Sequence, residues 1–389
     1  MRLFAIPAAA FVLTACAQSV NSLPPAPSNA FQSAPLRPTA ADLGLWPREG
    51  PAVRVCGFVG AGYARCQAWR RTDVAGAIEP DTPGGYAPSD LQRAYGLTAE
   101  SATKGNGETV AIVDAYDNPK AASDLNVYRR QFGLPPCTVS NGCFTKRKFT
   151  SQTNLGWAGE EALDVDMVSA ICPNCKILLV EAASARIGDL SAAEEYATAH
   201  AHFVSNSWSG NEGNKAYDTR FDVTGVVITA ATGDYGHNAT AQWPAILPTV
   251  VGVGGTVLRS VSPHVESAWA GAGSGCSTIY AKPKFQSDIH TACAMRAQAD
   301  VSAEADPYTG VAVYDTFQQP GWTVFGGTSV ATPIIASVFA LTGDASGNRL
   351  DNLYSNASNL RDVSRGSNGS CGAPLCVAGS GWDGPTGLG

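Results

Sequence analysis

Five short apolar runs punctuate the middle of the chain: TVAIVDAY (109–116), KILLVEA (176–182), HFVSNSW (202–208), GVVITAA (225–231) and TVVGVGG (249–255). None alternates cleanly between apolar and polar positions. Near-continuous runs of this length suit strands covered on both faces rather than strands with one wet side. Helical stretches lie between several of them: PKAASDLNVYRRQFG, EEALDVDMVSAI and LSAAEEYATAHA. Strand–helix alternation predicts an α/β fold, a parallel sheet flanked by helices, with working residues at the carboxyl ends of strands. The regular pattern begins near GYAPSDLQRAYGL and places the main domain at 85–389. Residues 39–83 show little periodicity and read as a short extension clipped by a Cys56–Cys66 disulfide. Residues 18–38, rich in Pro, Ser and Ala, read as a flexible tether. No 20–50-residue repeat, coiled-coil heptad or zinc-type Cys/His spacing occurs.

The first sixteen residues change the picture of where this chain works. A basic residue, a short apolar core and small residues read as an export signal. LTAC (Leu13–Cys16) resembles a bacterial lipobox and predicts a lipidated Cys16, hence an envelope lipoprotein of the outer membrane. Ala15-Cys16-Ala17 also fits ordinary cleavage and plain secretion. Ten further cysteines fall into near neighbours, 56/66, 137/143, 172/175, 276/293 and 371/376, and local pairing is the simplest disulfide set. CPNC at 172–175 reads as a loop clip, because it follows a helical pattern instead of opening a helix after a strand.

Composition adds less. Forty-one Gly and 24 Pro in 389 residues predict long connections, and a net charge of −7 offers no footprint for nucleic acid. The chain reads as a monomer.

FGGTSVATP (325–333) is the first hint of chemistry. Two glycines deliver Ser329 to the start of a helix, where a serine needs a neighbouring base to become a nucleophile. The five histidines (His200, His202, His237, His264, His290) read as surface or loop residues, none with an acid at useful spacing. Carboxylates are the other source of a base. Glu160 and Asp164 are four apart in EEALD, on one helix face beside the apolar stripe of Leu163, Met167, Ala170 and Ile171. Like charges at that spacing repel. With Glu161 and Asp166 nearby, the fragment alone also suits a solvated acidic face. Asp234 follows an apolar run through Gly233, at the end where active-site loops gather, and alone it suits a turn.

In this order the residues resemble the sedolisins, serine-carboxyl peptidases with a subtilisin-like fold. Glu160 and Asp164 match that family's Glu-x-x-x-Asp, Asp234 its Gly-Asp-x-Gly, and Ser329 its Gly-Thr-Ser-x-x-x-Pro. SNSWSG (205–210), WPAILPTVVGVGGT (243–256), ADPYTGVAVYD (305–315) and GWDGPTGLG (381–389) carry the likeness from about Tyr86 to the last residue. The resemblance implies an endopeptidase acting on proteins or peptides. Ser329 would be the nucleophile, Glu160 its base, Asp164 the third triad member and Asp234 a protonated oxyanion donor. A carboxylate base beside a carboxylic-acid donor implies acid action. Asp114 stands where the fold carries a further acid and reads equally as a relay or a turn residue.

The resemblance also implies one structural Ca²⁺, held by Asp362, the Val363, Gly379 and Gly381 carbonyls, and Asp383. Two departures follow. Fewer than seventy residues separate the signal from Tyr86, too few for the family's large propeptide, and the chain stops at GLG, short of the usual final helix. The competing readings are a cell-surface protein that keeps the fold without catalysis, and a subtilisin-like Ser/His/Asp peptidase.

Overall fold

A computed structural model describes residues 52–74, 83–345 and 349–389. The export signal, Cys16 and the Pro-rich tether lie outside the described residues. All the described residues belong to one compact unit.

The apolar runs form the expected sheet. Its order is Val265–Ala268, Val251–Ser260, Val227–Ala231, Phe203–Asn206, Thr109–Ala115, Lys176–Ala182, Phe144–Lys148, with Val301–Glu304 also paired to 251–260. Every pairing is parallel except that of strand 265–268. The period of two explains why these runs are apolar throughout. Val110 and Ile112 enter one core with Ile177, Leu179 and Phe203, while Ala111 and Val113 enter the other with Leu178, Val180 and Val204. Helix Ile187–Thr198 covers the second face; helices Leu155–Ile171 and Thr328–Thr342 pack together on the first. The five disulfides pair as proximity suggested, each closing a loop of 3 to 17 residues. Among the described residues no helix is long and apolar enough to cross a membrane.

The structure decides two points that the sequence fragments left open. The 155–171 helix carries no solvated acidic face: Glu160, Glu161, Asp164 and Asp166 are all at most 1% exposed. This helix runs through the middle of the domain, so its residues from Trp157 to Ile171 are all buried. The short disulfide-clipped extension ahead of the main domain pairs with that domain's strands. Ala52–Arg54 pairs with Trp69–Arg71, which pairs with Gly321–Gly326, and Arg65–Cys66 pairs with Trp208–Asn211. Backbone pairing needs no hydrophobic period, which is why the segment looked structureless.

Candidate active site

The site forms at the carboxyl ends of the central strands. Asp114 lies near the end of strand 109–115, Ser207 directly follows strand 203–206, and Asp234 follows strand 227–231. Gly327, at φ +103°, turns the chain into the 328–342 helix and sets Ser329 in its first turn. A Cβ on Gly327 would lie 2.0 Å from the Gln67 carbonyl oxygen, so only glycine fits both the turn and that approach. Pro333, inside the helix, lacks the N–H that would bond the Ser329 carbonyl. That carbonyl accepts instead from Ser207 Oγ at 3.3 Å.

The other helix brings the acids. Asn154 caps it, its Oδ1 accepting from Gly156 and Trp157 amides at 3.0 and 3.2 Å. Glu160 and Asp164, one turn apart, face Ser329 and Ser207. Asp164 Oδ1 accepts from Ser207 Oγ at 2.8 Å. The Ser329 hydroxyl donates to the Ser207 carbonyl at 3.0 Å, and the Glu160 carboxyl oxygens have no hydrogen-bond partner within ordinary reach. The hydroxyl still lies near enough to favour the ionised form of Glu160, so a modest swing of Oγ would complete the bond. Burial pushes the Glu160 carboxyl well above its usual range, and Asp164 and Asp114 push it the same way. Burial raises Asp164 as well, with Asp114 adding to it and the Ser207 hydrogen bond opposing. The two acids therefore share protons and titrate as a pair.

Asp234 is fully buried. Its Oδ1 accepts from the Thr328 amide and hydroxyl, both at 2.8 Å. Oδ2, on the side facing Gly327, makes no hydrogen bond. Burial raises its pKa to about 6, against the opposing pull of Arg54, the Thr328 bonds and Arg65. The Arg54 guanidinium lies 4.0 Å from Oδ2, donates to the Asp234 carbonyl at 2.7 Å and stacks over the Trp69 and Tyr235 rings.

Behind the site the carboxyls continue. Asp114, 0% exposed, is raised well above its usual range by burial and by Glu181. Glu181 in turn meets Lys146 Nζ at 2.6 Å and accepts from the Asn118 amide at 2.9 Å. Asp114, left aside by the sequence reading, thus belongs to the same cluster. Gln67, Arg54, Ser207 and Thr328 were missed. Ser207 could have been found, since SNSWSG was quoted; Gln67 and Arg54 sit in the aperiodic segment and offered no signal. No histidine bonds Ser329, and all five are exposed or half-buried; His237 meets Ser274 Oγ at 3.0 Å and His264 meets Glu266 at 2.9 Å.

So many raised carboxyl pKa values carry a stability prediction. Each such acid binds its proton more tightly folded than unfolded, so its contribution is complete below about pH 4 and is lost as pH rises through the folded pKa. For Asp234 and Asp315 that value is about 6, and for Glu194 about 8, all raised mainly by burial. The melting temperature should fall by roughly 10 °C between pH 4 and pH 8. A differential scanning fluorimetry series that is flat or rises over this range contradicts it.

The residues expected at a metal lie on neighbouring loops. Asp383 Oδ2 accepts from the Gly379 amide at 3.0 Å and Asp362 Oδ2 from the Gly381 amide at 2.9 Å. Burial raises Asp383 to about 6, and Asp362 adds to the rise. Asp362 and Asp383 lie close enough to repel, and carboxylate oxygens are hard donors of the kind Ca²⁺ takes. The cluster of His237, Cys371 and Cys376 is no metal site, because both cysteines are spent in a disulfide.

Residues 151–366 match the model of the subtilase family, Peptidase_S8. The chain belongs to the subtilase family. That span holds Glu160, Asp164, Asp234 and Ser329. Among subtilases its relatives are sedolisins. Kumamolisin from Bacillus sp. (strain MN-32) is 28% identical over 79% of this chain and 62% of its own length. Sedolisin from Pseudomonas sp. (strain 101) is 34% identical over 40% of this chain and 29% of its own. This subtilase therefore spans less than two thirds of either relative. The solved structure of Pseudomonas sedolisin, a serine-carboxyl proteinase complexed with two molecules of pseudo-iodotyrostatin, superposes with a TM-score of 0.67. It is 24% identical, with 79% of this chain and 95% of that one covered, and shows the shared fold.

Proposed function

We propose that the protein is a serine-carboxyl endopeptidase that hydrolyses protein or peptide substrates at acid pH. One observation carries the reading. Ser329, Glu160, Asp164 and Asp234, drawn from three separate parts of the chain, meet in one buried cluster where each carboxyl is held toward its protonated form.

Ser329 Oγ attacks the scissile carbonyl while Glu160 takes its proton, using the single negative charge the acid pair retains. Asp164, tied to Ser207, steadies that charge and the position of Glu160. The oxyanion forms between the Ser329 amide and the neutral Asp234 carboxyl, whose Oδ2 proton is the donor. Glu160 then passes the proton to the leaving amine, and water repeats the cycle on the ester. The absence of any histidine bonded to Ser329 weighs against a Ser/His/Asp mechanism. The four-member cluster weighs against an idle fold, since burying this many acids side by side is costly without a use. The test is digestion of a peptide library across pH 3–8: cleavage confined to acid pH supports the reading, and none at any pH sinks it.

Asp362, Asp383 and the carbonyls of Val363, Gly379 and Gly381 would hold one Ca²⁺, whose part is structural. Removing it with EGTA should cost about 3 kcal/mol at a metal concentration near a hundred times Kd, or roughly 5 °C in melting temperature. Asp383→Ala should reproduce that loss and blunt any response to EGTA. An unchanged wild-type melting temperature in excess chelator would remove the metal. Export by the N-terminal signal, with Cys16 as a lipid anchor, would place the enzyme in the cell envelope.

A further inference from the structure

Two of the apolar runs reach an acid at matching positions. Asp114 and Glu181 are direct neighbours in the parallel pairing of strands 109–115 and 176–182. Lys148, on strand 144–148, is the next neighbour across from Glu181. Side chains alternate along a strand, so Asp114 shares the face of Val110 and Ile112, and Glu181 that of Ile177 and Leu179. Lys146 and Lys148 share the same face with Phe144. The 155–171 helix covers this face and brings Glu161, the residue after Glu160, against Glu181 and Asp114.

Only one end of this row is supplied with donors. Lys146 Nζ meets Glu181 Oε1 at 2.6 Å and donates to Asp117 Oδ1 at 2.6 Å and to the Asn118 carbonyl at 2.7 Å. Lys148 Nζ donates to Asp117 Oδ2 at 2.8 Å. The Asn118 amide donates to Glu181 Oε1 at 2.9 Å, and Asn118 Nδ2 donates to the Ala158 carbonyl on the helix at 3.0 Å. Both oxygens of Asp114, both of Glu161 and Oε2 of Glu181 are buried without a hydrogen-bond partner. An unpaired anion in such a place is costly, so Glu181 is the member of the row fitted to hold a charge.

The proton affinities run the same way. Burial lifts Glu181, while Glu161, Lys146 and the Asn118 amide pull it back. Burial lifts Asp114 and Glu161 further, and Glu181 adds to both. Burial works on Asp117 too, but the two lysines hold it below its usual range. After burial, Asp114 is the neighbour that pushes Asp164 toward its protonated form, and it acts on Glu160 after Asp164 does.

We propose that Lys146 and Glu181 form a fixed charge pair that keeps Asp114 neutral, so that the negative charge of the site stays on Glu160 and Asp164. Glu181 is thus a positioning residue for the base, acting through Asp114. This rests on the peptidase reading above. Like charges on adjacent carboxyls exclude one another. With Glu181 anionic beside Lys146, Asp114 keeps its proton. The charge that Glu160 needs to accept the Ser329 proton then meets no anion from that side. With Glu181 neutral, Asp114 would ionise more readily and compete with the pair for the charge.

The experiment measures kcat/KM against pH on one fluorogenic peptide for the full chain and four variants, with folding checked by circular dichroism. In Glu181→Gln the acid limb, where the Glu160–Asp164 pair loses its charge, should move up by about one pH unit, which lowers turnover on that limb about tenfold. Lys146→Met should move it the same way, because Glu181 without its cation takes a proton. Asp114→Asn should leave that limb in place, since the amide copies a neutral acid. Adding Asp114→Asn to Glu181→Gln should bring the limb back. A clamp that merely held the helix would lower the plateau and leave the limb where it was. A limb that stays put in Glu181→Gln, or that the double variant does not restore, overturns this inference and leaves the peptidase reading standing. A limb that moves down in Asp114→Asn reveals an anion there and overturns it as well. A wild type with no turnover at any pH removes both.

Discussion

Ser329→Ala is expected to lower kcat by about 10⁴–10⁶-fold, with Glu160→Gln falling into the same range. A nucleophile and its base would act in one step, so removing either would leave what the oxyanion site and substrate binding supply alone. The double variant should accordingly be hardly worse than either single one, a non-additivity that two independent contributors would not show. Both substitutions are close to isosteric in a fully buried site, and Glu160→Gln removes a carboxyl that burial already disfavours as an anion. Folding should survive, checked by circular dichroism and by the melting temperature. His264→Ala, which loses only its contact with Glu266, should keep full activity. Undiminished hydrolysis by Glu160→Gln, or its loss in His264→Ala, would overturn the carboxylate base.

Asp234→Asn should cost about 10²–10³-fold at the acid optimum, the usual effect of weakening an oxyanion donor. Its pH dependence separates a donor from a structural turn. Burial holds the wild-type carboxyl neutral up to about pH 6. In the proposed mechanism the proton on Oδ2 would be available to the oxyanion below that pH; above it, a second negative charge would face the one that develops in the transition state. Wild-type kcat/KM should therefore fall as pH rises through about 6. The asparagine amide donates at every pH, so the variant should lose this limb and keep only those set by the Glu160–Asp164 pair. The measurement is kcat/KM against pH for both proteins on one peptide. A variant with wild-type rate and an unchanged profile takes Asp234 out of the chemistry.

Much of this molecule was legible before any coordinates. Doubly buried strands announce themselves as unbroken apolar runs, and 176–182 forms over the very residues the pattern marked. Neighbouring cysteines found each other because short loops close readily, and all five pairs formed as read. Glu160, Asp164, Asp234 and Ser329 stood out as candidates because the glycines, the i,i+4 spacing and their order along the chain are local properties of sequence, and the structure brings the four together. Two things depended on tertiary structure alone. Burial was one: nothing local distinguishes Glu161 and Asp166 on a wet helix face from the same residues at the centre of a domain, yet that difference shifts every carboxyl in the site. The other was the place of residues 52–71, held by backbone hydrogen bonds to strands more than a hundred residues away. Backbone groups are the same in every residue, so pairing of this kind leaves no signature in side chains for a sequence to display.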